Sequence, residues 1–68
     1  MKSFAQRLKE LRTENNLTQT QLATKLGIRQ QSYARYEKGV GEPSLDTLVA
    51  LSGLYNVSVD FLLGLTAN

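Results

Sequence analysis

Apolar residues recur at helical spacing along nearly the whole chain, and they divide it into five short segments. Phe4, Leu8 and Leu11 fall at i, i+4 and i+7, giving one apolar face to a first helix from about Phe4 to Asn15. Ser3 precedes it as an N-cap, with Gln6 three residues on to complete a capping box. Asn15-Asn16 ends that helix and Leu17 drops into the core. Thr18 then caps a second helix, Gln19 to Leu26, again with a Gln three residues later at Gln21. Leu22, Ala23 and Leu26 face inward, and Gly27 stops the helix by entering the left-handed region. A third helix runs from Arg29 or Gln30 to Lys38, and Gly39 and Gly41 open a loop. Pro43-Ser44 starts a fourth, Leu45 to Tyr55, with Leu48, Leu51, Ser52 and Tyr55 on one face. Gly53 sits inside it at a cost of ~1 kcal/mol relative to Ala, without an evident local reason beyond close approach of another helix. Asn56 terminates it, Val57 packs, Ser58 caps, and a last helix runs from Val59 to Leu63 before Gly64 and a frayed tail. The expected fold is all-α, a compact five-helix bundle in a single domain over residues 1–68.

With 68 residues there is material for one thin core. Cys and His are both absent, so disulfides, thiol chemistry and the usual zinc ligands drop out, and neither a metal nor a cofactor is expected. No apolar run approaches the ~18 residues of a membrane helix. Met1-Lys2-Ser3 leads straight into an amphipathic segment, unlike a signal peptide, so a cytoplasmic setting is expected. An enzyme is not expected either: no Ser stands beside a plausible base and no carboxylate pair suggests a pocket. Charge distribution adds more than net charge. Residues 1–41 hold all eight Lys and Arg against three acids, whereas residues 42–68 hold Glu42, Asp46 and Asp60 and no base. One half suits a polyanion and the other does not.

The third helix carries the candidate chemistry. On a helical wheel Gln30, Gln31, Ala34, Arg35 and Lys38 share an arc of about 140°, with Ser32, Tyr33 and Tyr36 opposite. Gln pairs in bidentate fashion with adenine N6 and N7, and Arg with guanine O6 and N7. Ala34 keeps the face low, and its methyl suits a thymine methyl. Taken alone such a helix is an ordinary solvated face. Its setting changes that: Leu26-Gly27-Ile28 joins two short helices by a tight turn that leaves the second protruding. The start of the second helix, at Thr18 and Gln19, offers free N–H groups to a phosphate. Tyr33 and Tyr36 are core candidates, with the Tyr33 hydroxyl a possible phosphate contact.

Leu8-Lys9-Glu10-Leu11-Arg12, Leu17-Thr18-Gln19, Leu22-Ala23, Leu26-Gly27-Ile28, Tyr36-Glu37-Lys38-Gly39, Pro43-Ser44-Leu45 and Val57-Ser58-Val59-Asp60-Phe61-Leu62-Leu63-Gly64 together resemble the DNA-binding domain of the phage Cro/CI repressor family, the XRE-type helix-turn-helix. The likeness spans residues 4–64, and Gln19 and Gln30-Gln31-Ser32 are similar to the matching positions of a short lambdoid-phage repressor. It implies a lambda-repressor-like bundle with its helix-turn-helix at about residues 18–38. It further implies that Gln30, Gln31 and Arg35 read bases, that Gln19 holds a phosphate or reads the outermost base, and that Arg29 and Lys38 lie near the backbone. Arg12 and Glu37 match a pair that ties the first helix to the end of the reading helix. Arg29 departs from the pattern, standing where many members have a capping Ser or Thr. The loop Val40-Gly41-Glu42 lacks the Lys and Arg used against phosphate.

One reading helix covers too few base pairs for selective binding, whereas a two-fold dimer sets two about 34 Å apart. Leu54, Val59 and Phe61 are candidates for that contact, with monomer core as the alternative, equally for Phe61. The expected function is a sequence-specific regulator of transcription, a repressor acting as a homodimer on a two-fold operator in double-stranded DNA. The competing reading is a protein-interaction or antitoxin module on the same scaffold. The polar face of the third helix argues against that reading, since partner interfaces are richer in apolar anchors.

Overall fold

A computed structural model describes residues 3–66. It contains α1 (Phe4–Glu14), α2 (Gln19–Leu26), α3 (Gln30–Lys38), α4 (Leu45–Tyr55) and α5 (Val59–Leu62). Four of the five starts are fixed by a hydroxyl cap. Ser3 and Thr18 each accept from the third residue of their helix, and Gln6 and Gln21 return the bond to the cap N–H, closing two capping boxes. Ser44 and Ser58 cap α4 and α5. Arg29 precedes α3 without any side-chain cap bond, as its chemistry requires.

Short connections follow from residues that accept a left-handed backbone. Asn16 and Asn56 do so at φ 57° and 54°, and Gly27 at φ 70° closes α2. Gly27 N–H is bonded to Ala23 and Thr24 carbonyls, and Ile28 N–H to Ala23, so only three residues separate α2 from α3. A β-branched or bulky residue at position 27 would sit strained in this region.

Leu8, Leu22, Ala23, Tyr33, Leu51 and Leu62 form the core, one or two residues from each helix. Phe4, Leu11, Leu17, Leu26, Ile28, Tyr36, Tyr55 and Val57 close around it. The inner faces of α1 and α2 are those expected from periodicity. Gly53 is exposed, and a Cβ added there would meet nothing within 4 Å. It therefore permits no close approach inside this molecule.

Leu65 and Thr66, expected in a frayed tail, are held by hydrogen bonds. Leu65 N–H bonds Asp60 O at 2.9 Å, and Arg7 Nη2 reaches Thr66 O at 3.3 Å. Residues 67 and 68 of that segment, like Met1 and Lys2, lie outside the described residues. No helix among the described residues is long and apolar enough to cross a membrane.

Leu51 is fully buried at the junction of α4 with the other helices. Leu51→Ala is expected to lower unfolding stability by ~2–5 kcal/mol, a large share of what so small a domain commands. Urea titration followed by circular dichroism measures it.

Candidate nucleic-acid interface

Three helices meet at a single carboxylate. Glu37, near the end of α3, accepts from Arg12 of α1 at both oxygens: Nε to Oε2 at 2.7 Å and Nη2 to Oε1 at 3.1 Å. The third nitrogen, Arg12 Nη1, donates to Leu17 O at 2.9 Å and pins the turn between α1 and α2. Side-chain exposure is only 14% for Arg12 and 6% for Glu37, so this is a desolvated, bidentate pair rather than a surface contact.

The same carboxylate organises α2 and the start of α3. Gln19 Nε2 donates to Glu37 Oε1 at 3.2 Å, and Gln30 Nε2 donates to Gln19 Oε1 at 2.8 Å. An ionised carboxylate only accepts, so Gln19 must present its NH2 to Glu37 and its carbonyl to Gln30. Gln30 is thereby left with its own carbonyl oxygen and its second amide hydrogen. One acceptor and one donor side by side are what an adenine edge requires in the major groove.

Burial acts to raise the Glu37 pKa, but the hydrogen bonds from Arg12 and Gln19, the Arg12 charge and the polar Tyr33 side chain nearby outweigh it and hold the carboxylate below its ordinary range. The Tyr33 and Tyr55 hydroxyls are buried without hydrogen-bond partners. Burial, with Glu37 adding to it, pushes Tyr33 above the usual phenol range and Tyr55 up to about 12.

That burial corrects one expectation. Tyr33 is 0% exposed and packs edge-on against Tyr36, so its hydroxyl cannot reach a phosphate. On the inner side of α3 Tyr33 is buried in the core, with Ser32 and Tyr36 half-buried at its edge. On the outer face Gln31, Arg35 and Lys38 are exposed, and Gln30 and Ala34 are half-buried. Arg29 and Thr18 are exposed beside them at the starts of α3 and α2. Arg35 does not stand free. Its Nη2 donates to Val40 O at 3.1 Å, so the guanidinium folds toward the loop after α3. Gly41 allows that approach: a Cβ there would lie 3.2 Å from Arg35 Cβ.

The residues expected at a dimer contact do not share one environment. Leu54 is 41% exposed, while Val59 and Phe61 are half-buried. The Arg7 guanidinium lies over the Phe61 ring, 4.1 Å from its centroid, and joins α1 to α5. The sequence carries no signature of the coupling of Gln19 to Gln30, the turn of Arg35 toward Val40 or the Arg7–Phe61 stack. Each joins residues far apart in sequence or held by a loop, and periodicity carries no signal for them. Among the described residues no group of His, Cys, Asp or Glu could hold a metal ion.

Comparison with known proteins bears on the family and the fold. The family described as Helix-turn-helix matches residues 8–62. The uncharacterized HTH-type transcriptional regulator YobD of Bacillus subtilis (strain 168) is 52% identical over 63 residues, covering 93% of this chain and 56% of that protein. The cryptic phage CTXphi transcriptional repressor RstR of Vibrio cholerae (strain N16961) is 39% identical over 59 residues, covering 87% and 53%. A crystal structure of a transcriptional regulator from Listeria innocua superimposes with a TM-score of 0.87 at 31% identity, over 91% of this chain and 58% of that one. The chain thus spans about half the length of the curated relatives it matches.

Two measurements test the carboxylate hub. Arg12→Ala leaves a desolvated charge without its partner and is expected to cost ~3–5 kcal/mol of stability. Because the folded pKa of Glu37 is depressed, its contribution is complete above the unfolded value near ~4.3 and is lost as pH falls through the folded value. Urea titrations between neutral and acidic pH are therefore expected to show a shallower acid loss in Glu37→Gln than in the unaltered chain.

Proposed function

Because this chain belongs to the Helix-turn-helix family, we propose that it reads a specific sequence of double-stranded DNA with α3 and regulates transcription, as a repressor that occupies a two-fold operator as a homodimer and excludes polymerase. The observation that carries this reading is the orientation of Gln30, set through Gln19 by the buried Glu37. An amide held this way meets adenine without first having to be ordered, which lowers the entropic cost of recognition.

Gln31 and Ala34 complete the base-reading face in this proposal, and Arg35 joins them by exchanging its bond to Val40 O for one to DNA. Thr18, Gln19, Arg29 and Lys38 lie along the phosphates, where the N–H groups opening α2 add a partial positive charge. Leu54, with Val59 and Phe61 near it in the acidic half of the chain, belongs to the side turned to the second copy. The relatives are regulators and, in one case, a phage repressor by name, which supports the class of function. The solvated, polar outer face of α3 favours DNA over a protein partner.

Selection from random duplexes is expected to enrich a two-fold motif. Gln30→Ala is then expected to lower affinity by ~1–3 kcal/mol and to relax preference at one base pair of each half-site. Lys38→Ala is expected to weaken all sequences alike and reduce the slope of log affinity against log salt by about one. Enrichment of no motif would overturn the reading.

A further inference from the structure

The Glu37 carboxylate has two oxygens, and each has room for about two hydrogen bonds. Oε1 accepts from Arg12 Nη2 and from Gln19 Nε2. Among the described residues Oε2 accepts from Arg12 Nε alone. One acceptor position on Oε2 is therefore open, on a side chain whose 6% exposure shuts out bulk solvent. Tyr33 stands four residues earlier in α3, on the same side of the helix. Its hydroxyl is buried and has no hydrogen-bond partner. A donor short of an acceptor and an acceptor short of a donor thus lie one helical turn apart.

We propose that the Tyr33 hydroxyl donates to Glu37 Oε2, completes the carboxylate and so acts as a positioning residue for Gln30. The proposal rests on the DNA-reading role of Gln30 set out above and adds a residue to the group that orients it. Burial removes the water that would otherwise serve both partners, so leaving the pair unmade is unfavourable on both sides. Packing does not account for the hydroxyl: the edge-on contact with Tyr36 needs only the ring. Each group also acts on the other as a hydrogen-bond partner does, Glu37 helping to push the phenol up and Tyr33 helping to hold the carboxyl down. Tyr55 is the other phenol close enough to act on Tyr33, and its hydroxyl is buried without a partner as well. It is the weaker claimant to the Tyr33 proton, because a bond to an ionised acceptor is about twice as strong as one between neutral groups.

This further bond matters for reading. With a position open on Oε2, the Gln19 amide has two places to bond on the carboxylate. With Oε2 filled by Arg12 and Tyr33, only Oε1 is left to it. Gln19 then keeps one position, and its carbonyl holds Gln30 in one orientation. Tyr33 is 0% exposed and touches no base, so it acts only through Glu37 and Gln19.

Tyr33→Phe keeps the ring and removes the hydroxyl. By NMR of the side-chain carboxyls, Glu37 is expected to titrate at higher pH in Tyr33→Phe than in the unaltered chain, because a donor to its charged form is gone. The urea midpoint is expected to fall, whereas loss of a hydroxyl that bonds nothing would leave it unchanged or raise it. On the selected duplex, preference at the base pair that Gln30 reads is expected to drop about two- to tenfold, with affinity for random duplexes unchanged. Tyr55→Phe, which also removes a buried phenol hydroxyl, is expected to leave the Glu37 titration in place. An unmoved Glu37 titration in Tyr33→Phe, a midpoint that does not fall, or an equal movement in Tyr55→Phe would overturn the Tyr33 bond and leave the DNA reading intact. A moved titration with base preference unchanged would overturn the positioning role. A chain that binds all duplexes alike would overturn the DNA reading, and the titration would still decide the bond. If Tyr33→Phe does not fold, the hydroxyl proton of the unaltered chain decides. Bonded to Glu37, it resonates downfield and follows the titration of that carboxyl; a resonance indifferent to the titration would overturn the bond.

Discussion

The buried Glu37 carboxylate can only accept hydrogen bonds, and much of the molecule is arranged around that restriction. It lies near the end of α3, yet its partners come from α1 and α2 as well. Arg12 supplies the counter-charge and also holds the Leu17 carbonyl, so one side chain fixes both the turn into α2 and the angle of α3. A pair this desolvated is weak evidence for net stability, because removing two ions from water is costly. Its consequence is geometric. With the carboxylate in place, only one orientation of Gln19 is satisfied, and then only one of Gln30. The polarity of a side chain on the outer surface of α3 is thus set by an ion pair beneath it.

Much of the fold was legible because its determinants are local. Ser3 with Gln6 and Thr18 with Gln21 each lie within four residues, and Gly27 and Asn56 announce left-handed turns through their own chemistry. The pairing of Arg12 with Glu37 was visible only through a family resemblance, since 25 residues separate them. The Gln19–Gln30 bond was not visible at all: it depends on the angle at which α2 meets α3. The helical wheel set Tyr33 outside the polar arc, but the reach of its hydroxyl depends on burial, and at 0% exposure none of it is left for a phosphate. Arg35 is the converse case. Its place on the outer face was readable, whereas its bond to Val40 depends on the path of a loop that Gly41 brings close.

The two halves of the molecule divide their surfaces by chemistry. α3 presents amides and cations to solvent around a rigid aromatic underside, which suits a polyanion whose edges carry donors and acceptors. The exposed face of α4 is largely apolar and lies in a half of the chain without a single base.

The central claim is that Gln30 reads DNA as an extension of Gln19 and the carboxylate behind it. A double-mutant cycle with Gln19→Ala and Gln30→Ala, measured as affinity for the selected duplex, tests it most directly. The account predicts strong coupling, ~0.5–3 kcal/mol, confined to the base pair that Gln30 reads. Additivity within ~0.5 kcal/mol at that base pair would contradict it.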